Sequence, residues 1–271
     1  METPKLMKKV IEKYLKEGKR FDGREAMEHR EIIIETGISK NAEGSARVRI
    51  GKTEVVAGVK LDVGEPYTDS PESGTLITTV ELLPLSSPEF EYGRPGIEAI
   101  EIARIVDRGI RESGFIDLDK LCIKKGEKVW NVFIDLYSMN DDGNLLDAAC
   151  LAGVAAVLDS KMPKYDEKEE KVLFGEWTSK RIPLTKNIPL TVTFYKLGDE
   201  FIIDPDQEEE ASCEARISLC FSEDKKLLIN ALQKGEKNPL TTAELFKIIG
   251  SAEKKYKDIH SEVSKLLKRL E

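Results

Sequence analysis

GSARVRIGKTEVVAGVK, residues 44–60, alternates polar and apolar positions up to Ile50, turns at Gly51-Lys52, and resumes as a β-branched run from Thr53 to Val63. Period-two patterning on both sides of a tight turn predicts a hairpin. Arg30 to Thr36, with Ile32, Ile33 and Ile34 in succession, extends it upstream into an antiparallel meander. Downstream, GEPYTDSPESG (64–74) is a polar loop rich in Pro and Gly, and Leu76 to Leu83 is a further strand. Lys120–Ile123 and Val129–Tyr137 flank Lys125-Gly126-Glu127 as another hairpin, with Trp130, Val132, Ile134 and Leu136 on one face. LLDAACLAGVAAVLD (145–159) follows, a helix whose many small residues allow close approach to a sheet.

The same grammar restarts after a charged, proline-containing segment at Lys161–Lys171, which is the expected boundary between residues 1–165 and 166–271. Ile188–Tyr195 and Glu200–Ile203 form a hairpin, the acidic run DPDQEEEA separates them from a strand at Ala215–Phe221, and a helix begins near Thr241. In that helix Leu245, Ala252, Ile259 and Leu266 alternate with Ile249, Tyr256, Val263 and Leu270 as a heptad, facing the chain's own sheet or, at its far end, a neighbouring subunit. Strands followed by helices in each half give an α+β architecture. At the N-terminus TPKLMKKVIEKYLKE (3–17) reads as a basic amphipathic helix with Leu6, Val10 and Tyr14 on one side. It is either a docking arm or a surface helix covering the core.

Composition excludes several classes. No apolar run approaches the ~20 residues of a membrane span, and the N-terminus lacks a signal-peptide core, so the expectation is a soluble, cytoplasmic protein. Cys122, Cys150, Cys213 and Cys220 form no C-x-x-C pair and read as free thiols. With only His29 and His260 available, Ser-His-Asp, Cys-His and histidine-metal sites are disfavoured. The net charge of −8 repels nucleic acid in bulk, so any polyanion has to be met by a local patch. Charged residues make up 34%, with Lys and Glu prominent, a bias typical of hyperthermophile proteins.

One such patch lies in GRPGIEAIEIARIVDRGIRES (93–113). Pro95 and Gly96 suit a helix start, and Glu98 and Glu101 complement its dipole. Ile100, Ala103, Val106 and Ile110 predict the buried stripe. Arg104, Arg108 and Arg111 fall together on a second face, as phosphate-gripping groups or as a solvated face tied by Glu101–Arg104, Arg104–Asp107 and Asp107–Arg111 pairs.

Three stretches together, R-F-D-G-R at Arg20–Arg24, the 44–60 hairpin and ARIVDRGIRES, resemble the RNase PH family in the expected order, over roughly residues 20–260. More narrowly the chain resembles the catalytically inactive RNase PH-like ring subunits of the archaeal exosome. The resemblance implies an α+β, RNase PH-like (ribosomal protein S5 domain 2-like) fold of two ββαβα parts. It implies a hexameric ring, a trimer of heterodimers in which inactive subunits alternate with a catalytic RNase PH-like partner, with RNA-binding cap proteins and single-stranded RNA as further partners. The ring degrades RNA from its 3′ end with inorganic phosphate.

Active relatives hold that phosphate with a Gly-(Ser/Thr)-Arg loop after an Asp-Gly pair, using helix N–H groups, a hydroxyl and a guanidinium. Here Asp142-Gly143 is followed by Asn144, Leu145, Leu146 and Asp147, so phosphate is expected not to bind and no cofactor is implied; phosphate is used at the partner's site. The family's carboxylate pair maps to Asp204 and Glu210, read as a remnant without a catalytic role. The resemblance places Arg104, Arg108 and Arg111, and more weakly Arg94, against RNA backbone, one wall of a site that another chain completes. The alternatives are an active phosphate-dependent 3′–5′ exoribonuclease and, lacking any Gly-rich nucleotide loop, a small-molecule enzyme on a related scaffold.

Overall fold

Two sheets clasp a layer of two helices, and the strongest apolar runs of the chain explain why. The computed structural model describes residues 5–223 and 226–268, with side chains at 5, 6, 262 and 266–268 excepted. The first sheet is built on β1 (Ile32–Thr36), β2 (Gly44–Ile50) and β3 (Thr53–Gly64), the predicted antiparallel meander. Its register sets Val48 against both Ile34 and Val55. The strand β4 (Thr75–Leu82) does not follow β3 in space. The hairpin of β5 (Cys122–Lys124) and β6 (Lys128–Asn140) supplies the next strand, β6, antiparallel to β3 and parallel to β4. A parallel neighbour needs a crossover, and α2 (Ile97–Glu112) provides it.

The second sheet runs β10-β9-β11-β12, with β9 (Leu190–Leu197), β10 (Glu200–Ile203), β11 (Ala215–Glu223) and β12 (Leu227–Gly235), antiparallel throughout. Between the sheets lies α3 (Leu145–Asp159), in which every residue from Leu145 to Val157 is buried. A helix apolar on all sides has to be enclosed on all sides. The helix meets β2 and β3 of the first sheet and β9 of the second. The helix α5 (Thr242–Lys268) covers the outer face of the second sheet, where Tyr256 meets Phe221 with ring centroids 5.8 Å apart. Residues of both sheets and of α2, α3 and α5 form one continuous core.

Several expectations need correction. In α1 (Lys5–Lys16) the buried stripe is Ile11 and Leu15, packed on Tyr195, Leu197 and Ile202, whereas Tyr14 is exposed and Val10 half-buried; the side chain of Leu6 lies outside the described residues. In α2 the buried residues are Ala99, Ile102, Ile105, Val106, Gly109 and Ile110; Ile100 is exposed and Ala103 half-buried. The stripe is rotated because α2 is held from both sides, by β4 and by the edge of the second sheet. The segment Lys161–Lys171 is no linker: β7 (Lys161–Asp166) and β8 (Lys171–Arg181) pair as a hairpin, and the boundary expected at 165/166 falls inside it. The acidic run holds a short helix, α4 (Gln207–Ser212), closed by an Asp206–Glu209 capping box. In α5, Ala252, Tyr256, Ile259 and Val263 are buried as the heptad requires, and so is Ile248 outside it; the far positions Leu266 and Leu270 lie outside the described side chains.

Close contact between α3 and β2 makes a differential test. A Cβ on Gly44 would lie 2.2 Å from Ser160 Oγ and 2.3 Å from the Ala156 carbonyl, whereas one on Gly58 meets open space. Gly44→Ala is expected to lower stability by roughly 1–3 kcal/mol, the usual cost of overpacking, and Gly58→Ala to leave it within about 0.5 kcal/mol. Thermal denaturation of both variants checks this.

Candidate functional site

The Asp-Gly turn before α3 is held by a buried ionic knot. Arg30, just before β1, donates through Nη1 to the Asp142 carbonyl at 2.7 Å and through Nη2 to the Gly143 carbonyl at 3.0 Å. The same guanidinium reaches Asp204 at the end of β10, at 2.9 Å from Nε and 2.7 Å from Nη2, and the Arg30 backbone N–H adds a bond at 2.7 Å. Arg24 donates to Asp204 at 3.0 Å, and the Asn144 amide donates to its other oxygen at 2.9 Å. Burial opposes the charged form of Asp204, yet the hydrogen bonds and charge of Arg30 outweigh it and hold the carboxyl at about 2. Asp204 stands at φ 46°, in the left-handed region, where only a well-supported non-glycine residue persists.

The R-F-D-G-R arginines also face inward. Arg20 is buried, ion-paired with Glu209 of α4, and donates to the carbonyls of Ile203 and Asp204 at 3.0 and 2.8 Å. Arg24 joins Asp22 to Asp204. Nothing in the local sequence marks that role, because the acceptors lie 180 to 189 residues further along the chain. Gly143 is required here, because a Cβ at its φ of +82° would lie 2.6 Å from the Pro205 carbonyl.

At the start of α3 the expected anion position is filled from within. The Asn144 N–H donates to Glu210 Oε2 at 2.8 Å. Leu145 and Leu146, which replace the hydroxyl and guanidinium of the active pattern, are both buried. Asp147 accepts from the Thr193 N–H at 3.1 Å and its hydroxyl at 2.6 Å. Burial pushes both the Glu210 and Asp147 carboxyls up to about 7. In front of Glu210 opens a cavity of about 380 Å³ lined by Glu89, Glu98, Glu101, Asp141, Glu210 and Glu236, with Arg216 paired to Glu101 at 2.6 Å. Such a wall repels phosphate. Among the described residues no three His, Cys, Asp or Glu side chains are grouped to hold a metal ion, and Asp204 and Glu210 instead bracket Asn144 from two sides.

The arginine face of α2 separates into two kinds. Arg111 is tied by Asp107 at 2.7 and 3.0 Å and donates to the Leu76 carbonyl of β4 at 2.9 Å. Glu101, expected to pair with Arg104, turns instead to Arg216 and to Gln233 at 3.2 Å. Arg104 and Arg108 are therefore exposed with no ion pair among the described residues. Arg94 is exposed in the loop before α2. On the same helix Ile97 is 88% and Ile100 50% exposed, and the edge strand β12 beyond Glu101 carries exposed Leu228, Ile229 and Leu232.

Sheet order, the crossover helix and the degenerate Asp-Gly turn define a two-part RNase PH-like protein. The model of the 3′ exoribonuclease family matches in both of its parts, domain 1 over residues 28–163 and domain 2 over residues 187–255, so the chain belongs to the RNase PH family. It is 43% identical over 252 residues to exosome complex component Rrp42 of Methanothermobacter thermautotrophicus, covering 93% of this chain and 92% of that protein. Among solved structures it resembles a chain of an archaeal exosome core, with a TM-score of 0.82 and 34% identity over 96% of both chains. It also resembles a chain of the Archaeoglobus fulgidus exosome with RNA bound to the active site, with a TM-score of 0.80 and 38% identity over 90% of this chain and 92% of that one.

The carboxyl shifts fix the direction of the pH dependence. Asp204 falls from an ordinary 3.8 to about 2, so its contribution, on the order of 2 kcal/mol, is present above pH 4 and lost as pH falls from about 4 to 2. Glu210, raised from 4.5 to about 7, takes up a proton on folding, so stability rises as pH falls from about 7 to 4.5. In denaturant titrations Asp204→Asn is expected to flatten the acid limb, and Glu210→Gln to reduce the gain between pH 7.5 and 5.

Proposed function

We propose that this chain is a non-catalytic subunit of an archaeal exosome ring, which binds RNA beside the active site of a catalytic RNase PH-like partner and helps to shape it. The observation that carries this reading is the Glu210 carboxylate on the Asn144 N–H, at 2.8 Å, where an active relative is expected to hold phosphate. The nucleophile has no seat in this chain, and Asp204 is occupied by two guanidinium groups. Catalysis therefore belongs to another subunit. The relatives described as exosome components support the assembly, and the RNA in the Archaeoglobus fulgidus complex supports the substrate.

Arg104 and Arg108 are the residues for RNA backbone. Unpaired guanidiniums on a rigid helix bind phosphate without first breaking an internal ion pair, and they do so on a protein whose bulk charge is negative. Ile97 and Ile100 on α2, and the exposed leucines of the edge strand β12, supply apolar surface that a ring neighbour covers. Arg94 is a flanking contact. Arg111, already satisfied by Asp107 and Leu76, acts as a brace between α2 and β4. A cytoplasmic ring, a trimer of heterodimers with cap proteins on one side, is the assembly this reading implies.

Two experiments test it. The purified chain alone is expected to show no phosphate-dependent RNA degradation and to restore it when mixed with the catalytic partner; robust phosphorolysis by the isolated chain contradicts the reading. In the assembled ring, Arg104→Glu with Arg108→Glu is expected to weaken single-stranded RNA binding by about tenfold or more. It should also lower the salt slope by about 1.4, the equivalent of two phosphate contacts. Arg111→Gln is expected to change RNA affinity less than about twofold, read by fluorescence anisotropy at several salt concentrations.

A further inference from the structure

The basic helix α1 has a face that the ring function leaves unexplained. Between Lys5 and Lys19 six lysines accompany only Glu12 and Glu17, on a chain with a net charge of −8. Ile11 and Leu15 point into the core, which places Lys9, Lys13 and Lys16 on the opposite side of the helix, all exposed. Lys8, at the flank, is the one that pairs, with Glu214 at 2.7 Å. Lys9, Lys13, Lys16 and the adjacent Lys19 carry no ion pair among the described residues. Lysines in the last turn complement the helix dipole, which accounts for Lys13 and Lys16 but not for Lys9 or Lys19.

Beside these lysines stands an aromatic pair. Tyr14 and Phe21 lie with ring centroids 4.9 Å apart and are 41% and 43% exposed, so each keeps part of its ring surface open to solvent. A row of unpaired cations next to an open aromatic surface matches the two elements of single-stranded nucleic acid, a phosphate backbone and stacking bases.

We propose that the outer face of α1, Lys9, Lys13 and Lys16 with the Tyr14–Phe21 pair, is a second contact for single-stranded RNA, outside the arginine site. The inference rests on the RNA-binding reading of the ring. Its place in the fold sets the kind of RNA. The helix α1 packs on β10 and α4, whereas α2 packs beside β12, at the other edge of the sheet β10-β9-β11-β12. Three strand spacings of about 4.8 Å and the width of a helix at each edge, about 10 Å, put roughly 25–35 Å between the two faces. An oligonucleotide of about four residues held by Arg104 and Arg108 does not reach α1; a long one does. The lysine face therefore adds affinity for long RNA and leaves short RNA unaffected.

The test uses the assembled ring and two probes, oligouridylates of about 4 and about 40 nucleotides. Lys9→Glu, Lys13→Glu and Lys16→Glu together change only solvent-facing residues, and circular dichroism and ring mass check that fold and assembly persist. The expected result is a loss of about fivefold or more in affinity for the long probe, with a salt slope smaller by about 2, and no change for the short probe. Tyr14→Leu, which keeps an apolar cover over the core, is expected to weaken the long probe about two- to fivefold. Unchanged long-probe affinity overturns the proposal, as does loss of binding to phosphatidylserine vesicles without loss of RNA binding. The Arg104→Glu, Arg108→Glu ring distinguishes this from failure of the functional reading. Short-probe binding that survives in that ring removes the arginine wall but not the α1 contact.

Discussion

A buried ion pair between Arg30 and Asp204 is the constraint on which the rest of the molecule depends. Arg30 leads into the first sheet and Asp204 leaves the second, and the guanidinium also holds the carbonyls of Asp142 and Gly143 at the start of α3. Both sheets and the helix between them are thereby fixed at one point. Removing either charge leaves the other buried and uncompensated, which costs far more than the pair contributes net. Arg20 and Arg24 extend the knot to α4 and the N-terminal segment, so three arginines and their carboxylates join the two halves where the apolar core alone would set only the packing distance.

The knot also shapes the start of α3. It fastens the Asp204 carboxylate between Arg24 and Arg30, and α4, capped on Asp206, brings Glu210 onto the Asn144 N–H. The helix start keeps its partial positive charge, but an internal carboxylate satisfies it. Around it the carboxylates of Glu98, Glu101 and Asp141 make the cavity acidic. On the exposed side of α2, by contrast, Glu101 is drawn off to Arg216, and Arg104 and Arg108 have no ion pair among the described residues; that is the face proposed for RNA. Charge lost to one site leaves charge available at the other.

The fold was largely legible because its strongest signals are local. The meander follows from alternation in residues 44–60, and the central place of α3 from alanines that no exposed helix needs. The leucines at 145 and 146 stand where the family pattern has a hydroxyl and a guanidinium, and both are buried. Side-chain partners chosen across the fold were not legible. Glu101 and Arg104 stand at helical spacing, yet Glu101 finds a partner 115 residues away that a linear pattern does not contain. The inward role of Arg20 and Arg24 was not legible because their acceptors, Glu209 and Asp204, lie near the other end of the chain. Strand β12, LLINALQKG, was missed because Asn and Ala interrupt its alternation and its leucines face outward. The hairpin β7–β8 was hidden by its lysines and glutamates, which suit a two-stranded ribbon exposed over most of its length.

The claim that most of this account turns on is that the α3 start is closed to phosphate by the chain's own carboxylate. Titrating inorganic phosphate into the isotopically labelled chain while following the Asn144 backbone amide by NMR tests it directly at the atom concerned. The account predicts no saturable change in that resonance at millimolar phosphate. A saturable shift of the Asn144 amide would contradict it.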